Sequence, residues 1–373
     1  MGNITDDIRQ HFDTFAELPF TEADSLALSQ LAYARMPDNV PRYHENAETA
    51  DGMIATVPIH DLLRAECYDD MFGKVWSPSM NVDLLRAMSE SPRWRNLRVG
   101  AYVDEFDAAT TKQFSACVFE LGNGTLYVAF RGTDSSIVGW KEDFMMAFRR
   151  PVASQEAAAR YLTELAGHWA GPIMVGGHSK GGNLAVYAAA NVPSEIQERI
   201  TVVYSHDGPG FDEVFFDEDG YVRIASKIHK SVPGSSIIGM LFETREHVED
   251  GYTVVSSDGA SIMQHFALHW QVDHGQFVQA DGLTSSAQYL ARTINGWMAK
   301  NDDEHRRKFI ENLFAIFEAG GYDTFGDLTS HLTQSLPIML AAARNIDVED
   351  RDVMIEVLKG FAATAAASVI LAK

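Results

Sequence analysis

One stretch, PIMVGGHSKGGNLA at residues 172–185, decides the fold of this 373-residue chain. A short apolar run stands before two glycines, and a series of small helix-forming residues follows Ser179. This order is typical of a buried strand, a sharp turn and a helix. The residues from Gly177 to Gly181 match G-x-S-x-G, in which the serine projects from a strained turn at a helix N-terminus. Ser179 is therefore the candidate nucleophile, and the alternative interpretation is a glycine-rich turn whose serine only caps the helix.

Strand and helix patterns alternate on both sides of this stretch. Strand patterns occupy residues 97–103, 114–121, 126–130, 172–176, 200–204 and 252–255, with a further candidate near Ile228. The turn Gly122-Asn123-Gly124 predicts that the second and third of these strands form a hairpin. Alternating strands and helices indicate a mostly parallel, doubly wound sheet flanked by helices, which is an α/β fold.

The helical patterns concentrate at the two ends of the chain. They predict a helical lead-in packed on the core at residues 1–90, a catalytic core at 91–280 and a helical C-terminal region at 281–373. The last region has helical periodicity at 287–298, 304–319 and 348–372.

Composition and charge exclude several functions. The formal charge is −22, from 30 Lys and Arg against 52 Asp and Glu, without a basic cluster, which argues against nucleic-acid binding. Cys67 and Cys117 have no disulfide or zinc-type spacing. The N-terminus lacks the features of a secretion signal, and no segment is apolar enough over sufficient length to insert stably into a membrane. We therefore expect a cytoplasmic protein, while its oligomeric state cannot be predicted.

A second motif carries a family resemblance. The stretch VAFRGTD at residues 128–134, with Trp140 and Asp143 downstream, resembles the F-R-G-[ST]…W…D block of class 3, fungal-type lipases. The resemblance covers roughly residues 101–270 and implies the α/β-hydrolase fold with helical extensions. These lipases usually read GHSLGG, whereas this chain has Lys180 in place of the leucine. The forms GHSKGGNLA and DGPGF, the latter at 207–211, resemble a bacterial branch of lipase-like proteins of largely unknown function.

Two backbone N–H groups are expected to form the oxyanion hole. The general geometry of the fold offers the N–H of the residue after the nucleophile, Lys180. The resemblance implies that Thr133 supplies the second donor, with Trp140 and Asp143 as supports of its loop. The alternative for Thr133 is a polar residue that merely ends a strand.

The general base is expected late in the chain, because the order in α/β-hydrolases is Ser, then Asp or Glu, then His. The histidines that follow Ser179 at suitable positions are His229, His247, His265, His269 and His274. His265 follows the strand at 252–255, and its setting matches the position of the histidine in the lipase-like branch. His265 is the preferred base, with His269 as the alternative.

The acid is expected at the end of a strand. The resembled lipases place it in a D-x-V-P block, but the matching stretch here is Lys230-Ser-Val-Pro233, which lacks the carboxylate. Asp207 directly follows the strand at 200–204, at the carboxyl edge of the sheet, and is the preferred acid. Alternatively, Asp207 only shapes the following turn, and Asp258 serves as the acid.

These residues together predict acyl transfer to water through an acyl-enzyme on Ser179. The expected substrate is a small-molecule carboxylic ester, which could be lipid-like, and the reaction needs no cofactor. The cluster of His265, His269, Asp273 and His274 lacks the H-E-x-x-H pattern, so we predict no metal site. The alternatives are an amidase or thioesterase with the same triad, or a non-catalytic α/β-hydrolase-like scaffold.

Overall fold

The computed structural model describes residues 2–43, 54–107, 109–134, 136–146, 148–242, 251–259, 261–322 and 331–342. The helix predicted at 348–372 and the candidate His247 lie outside the described residues. The division into three regions at residues 90 and 280 stays a prediction.

A mixed sheet forms the centre of the molecule. The strands are β1 (Gly2–Asn3), β2 (Thr56–Pro58), β3 (Arg98–Asp107), β4 (Lys112–Glu120), β5 (Leu126–Phe130), β6 (Ile173–His178), β7 (Ile200–His206), β8 (Ile228–Pro233), β9 (Tyr252–Val255), β10 (Gln271–Asp273) and β11 (Gln276–Phe277). In the described chain, strands β2 to β9 form this central sheet and lie side by side in sequence order, whereas β1, β10 and β11 form a separate small antiparallel sheet. The pairs from β2 to β5 are antiparallel, and those from β5 to β9 are parallel.

This arrangement confirms a mostly parallel sheet flanked by helices. The sheet is not doubly wound as predicted, because its strands follow one another in sequence order and the segments that connect β5 to β8 pack in one apolar layer, through Leu162, Leu184 and Ile224. The predicted hairpin is also present, because β4 and β5 pair in antiparallel register across the Asn-Gly turn. The short strands β1 and β2 differ from the helices and loops expected before residue 88. Strands of two or three residues at sheet edges are too short to produce a recognisable alternation.

Helices cover both faces of the sheet. They are α1 (Ile4–Gln10), α2 (Glu22–Leu31), α3 (Tyr68–Phe72), α4 (Pro78–Glu90), α5 (Ile137–Met145), α6 (Ala153–Gly167), α7 (Lys180–Asn191), α8 (Ser194–Arg199), α9 (Asp219–Ile224), α10 (Ser285–Lys300), α11 (Asp303–Ala319) and α12 (Leu332–Ala342). Among the described helices, none combines the length and apolar character that a membrane crossing requires.

The alternation of side chains along β5 explains the two main core layers. Tyr127 and Ala129 face the layer that contains α2 and α4, while Val128 and Phe130 face the layer that contains α6 and α7. All four side chains are fully buried. A third apolar cluster joins α11 to α5, with Trp76 and Trp140 packed against it.

Candidate active site

Ser179 is the single residue between strand β6 and helix α7. Its backbone has φ 58° and ψ −131°, a conformation that is costly for any residue with a side chain and is commonest at functional sites. A Cβ on Gly177 would lie 2.3 Å from the backbone of Gly181, and a Cβ on Gly181 would lie 2.1 Å from the carbonyl oxygen of Phe130. Both glycines are therefore required by the close approach of backbone to backbone in this turn.

His265 and Asp207 are joined by a hydrogen bond. The Nδ1 atom of His265 lies 2.6 Å from Oδ2 of Asp207, which is completely buried. The other carboxylate oxygen, Oδ1, accepts hydrogen bonds from the Ser236 hydroxyl and from the N–H of Gly239. These donors compensate for the loss of water around a buried charge. Because Nδ1 of His265 is engaged, Nε2 is the nitrogen left to accept a proton.

Ser179, His265 and Thr133 line one small cavity with about 30 Å³ of space for solvent. The remaining wall comes from Gln30, Tyr33, Val75, Trp76, Ser77, Trp140, His178, Phe266, Leu268 and His269. Within the described residues, no hydrogen bond joins the Ser179 hydroxyl to His265. Such contacts are often long in unliganded enzymes and shorten when substrate binds.

The two proposed oxyanion donors lie beside the nucleophile. Lys180 is the first residue of α7, where backbone N–H groups have no partner within the helix and the helix dipole favours negative charge. Thr133 follows β5 and is buried in the cavity wall. Its hydroxyl donates a hydrogen bond of 2.6 Å to Oδ2 of Asp143. Asp143 thus contacts the loop that it was expected to support, and Trp140, the other expected support, contributes to the cavity wall.

The structure does not bring the alternative acid to His265. Asp258 instead accepts a hydrogen bond from the Gln271 side chain, and its N–H donates to the carbonyl oxygen of His269. The other candidate histidines among the described residues do not contact Asp207. His229 pairs with Glu22, His274 lies beside Asp273, and His269 reaches the cavity without contacting Asp207.

Sequence analysis did not predict that His178 holds His265 in place. The Nδ1 atom of His178 lies 2.9 Å from the Tyr33 hydroxyl, and Nε2 lies 2.7 Å from the carbonyl oxygen of His265. Burial lowers the pKa of His178 to about 3, so the ring is neutral. Because a carbonyl only accepts, Nε2–H of His178 donates to His265 and Nδ1 accepts from Tyr33. His178 therefore fixes the backbone that carries the candidate base.

Aromatic side chains from distant parts of the chain line the cavity. The rings of Trp76 and Phe266 lie 4.9 Å apart between centroids. Ser77, next to Trp76, has a left-handed backbone with φ 52°. Sequence patterns gave no signal for these lining residues, because their contribution depends on the packing of the N-terminal segment against residues 266–269.

Comparison with known proteins identifies the family of this chain. Residues 88–315, more than half of the chain, match the Mbeg1-like family. The chain belongs to the Mbeg1-like family. No curated protein matches this Mbeg1-like chain in sequence. The matched range includes Ser179, Asp207, His265 and Thr133, whereas Tyr33 precedes it.

Among solved structures, the Mbeg1-like chain is similar to three lipases at low identity. The M37 lipase is 16% identical, with 76% of this chain and 82% of that chain covered and a TM-score of 0.39. A triacylglycerol lipase described as having a serine protease triad is 14% identical, with 63% and 78% covered and a TM-score of 0.35. The Rhizomucor miehei lipase in its propeptide complex is 16% identical, with 69% and 95% covered and a TM-score of 0.34.

Proposed function

We propose that this protein is a serine hydrolase that cleaves carboxylic esters through an acyl-enzyme on Ser179. One observation carries the proposal. A strained serine between a strand and a helix lines the same cavity as a histidine, and that histidine is hydrogen-bonded to a buried carboxylate. A serine that only capped α7 would accept a hydrogen bond from its first turn, but the Ser179 side chain makes no such bond.

The proposed reaction uses each group at a defined atom. Oγ of Ser179 attacks the ester carbonyl carbon while Nε2 of His265 takes the hydroxyl proton. Asp207 stabilises the imidazolium that forms, and the N–H groups of Thr133 and Lys180 bind the oxyanion. The leaving alcohol takes the proton from His265. A water molecule, activated by the same nitrogen, then hydrolyses the acyl-enzyme.

A neutral His178 favours this proton transfer. Its ring centroid lies 4.7 Å from that of His265, so a positive charge on His178 would oppose formation of the second imidazolium. Burial and the neighbouring His265 both lower the pKa of His178. The charge that develops on His265 therefore meets a buried carboxylate on one side and a neutral ring on the other.

The small size of the cavity favours esters with a short acyl group as substrates. With about 30 Å³ of free space beside Ser179, an acetyl or propionyl group requires less displacement of Trp76 and Phe266 than a long chain does. A panel of p-nitrophenyl esters tests this, and we expect kcat/KM to fall steadily from acetate to decanoate. An increase along the series would contradict the small acyl site without contradicting the reaction.

Covalent labelling tests the activated serine. An alkyl fluorophosphonate is expected to modify the folded wild-type protein stoichiometrically at Ser179, as read by intact-mass and peptide analysis, and to leave Ser179→Ala unmodified. Ser77 lines the same cavity at a positive φ that suits glycine, so Ser77→Gly is the matched control and should still be labelled. Absence of an adduct on the folded wild-type protein would favour the non-catalytic scaffold.

A further inference from the structure

The side chain of Lys180, whose backbone N–H is one of the two proposed oxyanion donors, is completely buried. Its Nζ atom donates hydrogen bonds of 3.0 Å to Oε2 of Glu142 and to the carbonyl oxygen of Gln113, and lies 3.6 Å from Oδ1 of Asp143. Burying an ammonium group costs several kcal/mol unless partners compensate, and an apolar residue of similar volume is often as good for stability. A lysine at this position therefore calls for an explanation beyond core packing.

The two carboxylates that face Lys180 belong to α5, the helix that follows the oxyanion loop. Glu142 and Asp143 are adjacent in α5, and Glu142 also accepts hydrogen bonds of 3.0 Å from the backbone N–H groups of Gln113 and Ser154. Glu142 is thus anchored to β4 and to the start of α6. The side chain of Lys180 thus connects this anchored carboxylate, and with it α5, to the backbone directly after Ser179.

Asp143 carries the connection to Thr133. One of its oxygens faces the ammonium group of Lys180, and the other accepts the hydrogen bond from the Thr133 hydroxyl. We propose that Lys180 is a positioning residue: its side chain holds Asp143, and through it Thr133, so that the oxyanion hole is formed before the substrate arrives. This inference rests on the proposed function, because Thr133 is an oxyanion donor only if Ser179 forms a tetrahedral intermediate.

The electrostatics of the cluster agree with this arrangement. Burial raises the pKa of Asp143 to about 6, although the charge of Lys180 and the Thr133 hydroxyl act to lower it. Burial alone would lower the pKa of Lys180, but Glu142 and Asp143 outweigh this effect and raise it. Lys180 is therefore the cation that keeps Asp143 an acceptor for Thr133 at neutral pH.

The experiment is a double-mutant cycle of Lys180→Met and Asp143→Asn, with kcat expressed per serine labelled by the fluorophosphonate. We expect each single variant to lower kcat about 10-fold to 100-fold with little change in KM, because oxyanion donors act in the transition state. If Lys180 acts through Asp143, the double variant should be no slower than the slower single variant. Losses that multiply would overturn the proposed connection.

A second buried ion pair provides the control. The side chains of Arg93 and Asp24 are each 6% exposed, with 2.5 Å between Nη2 and Oδ2, and they lie outside the cavity of Ser179. Arg93→Met is expected to lower the urea midpoint while kcat per labelled serine stays unchanged. The same behaviour in Lys180→Met would show that Lys180 only stabilises the fold and would overturn the inference.

Three further outcomes distinguish a failure of this inference from a failure of the proposed function. If Lys180→Met does not fold, Asp143→Asn decides, because wild-type kcat and KM in that variant would contradict the role of Asp143 in positioning Thr133. If wild-type protein is not labelled at all, the serine hydrolase proposal itself fails. Labelled wild-type protein with an unchanged kcat in Lys180→Met overturns the positioning role alone.

Discussion

The two halves of the candidate site are held in place by different forces. The nucleophile half consists of the ends of β5 and β6 and the start of α7, where backbone segments at Gly177 and Gly181 approach too closely for any side chain. The base and acid half consists of loops after β7, β8 and β9, where the Asp207 carboxylate is hydrogen-bonded to His265, Ser236 and Gly239. Added volume should therefore damage the first half, while the second half should be sensitive to loss of charge or of a single donor.

The base offers the largest expected effect. His265→Gln removes the nitrogen that is proposed to accept the Ser179 proton, and we expect kcat to fall by about 10⁴-fold or more. His269→Gln is the matched control in the same cavity and should retain kcat within about 10-fold. Steady-state kinetics on a p-nitrophenyl ester measure both, and equal losses in the two variants would contradict the assignment of the base.

The acid tests the same half without a change in volume. Asp207→Asn keeps the shape of the side chain but removes the charge that orients and stabilises His265, so kcat should fall by about 10³-fold to 10⁴-fold. Asp258→Asn changes a carboxylate that contacts Gln271 instead and should leave kcat nearly unchanged. A greater loss in Asp258→Asn would transfer the role of the acid to Asp258.

Added volume tests the nucleophile half. Gly181→Ala would place a Cβ 2.1 Å from the carbonyl oxygen of Phe130, and we expect the free energy of unfolding to fall by about 1–3 kcal/mol. Gly167→Ala adds the same methyl group at the end of α6, where no atom lies within 4 Å, and should be neutral or slightly stabilising. Urea denaturation compares the two, and a stable Gly181→Ala variant would show that the turn can relax.

The charge of Asp143 is expected to have the smallest effect on kcat. Burial raises the pKa of Asp143 to about 6, against the opposing effect of the charge of Lys180. The like charge of Glu142 also raises this pKa, and the buried phenol of Tyr33 lies nearby. Below this pKa the carboxyl is protonated and resembles asparagine. The ratio of wild-type kcat to that of Asp143→Asn should therefore fall from about 10 or more at pH 8 toward one at pH 5. A ratio that does not change with pH would contradict the role of the Asp143 charge.

The nucleophile half could be predicted from the sequence because its determinants are local. Gly177, Ser179 and Gly181 lie within five positions of one another, and the steric demands of a strand-to-helix turn select just these residue types. Asp207 could also be proposed, since the residue after a parallel strand lies at the carboxyl edge of the sheet. The hydrogen bonds of Asp207 to Ser236 and Gly239 could not be predicted from the sequence, because they depend on how one loop folds over the next.

Other features of the site depend on contacts distant in sequence. The ammonium group of Lys180 meets Glu142, 38 residues away, and the ring of His178 meets Tyr33, 145 residues away. Neither pairing leaves a spacing pattern in the chain. The sequence showed only that a lysine stands where the resembled lipases usually have leucine, which marked the position as unusual without revealing its partners.

The packing of α2 and the Trp76 segment has a practical consequence for dissecting the molecule. The family match begins at residue 88, yet Gln30, Tyr33 and Trp76 form part of the wall around Ser179. The segment that matches the family is thus shorter than the segment whose residues line the cavity of Ser179. A truncation made at residue 88 would keep every proposed catalytic group but would remove part of the cavity wall and expose Ser179 to water.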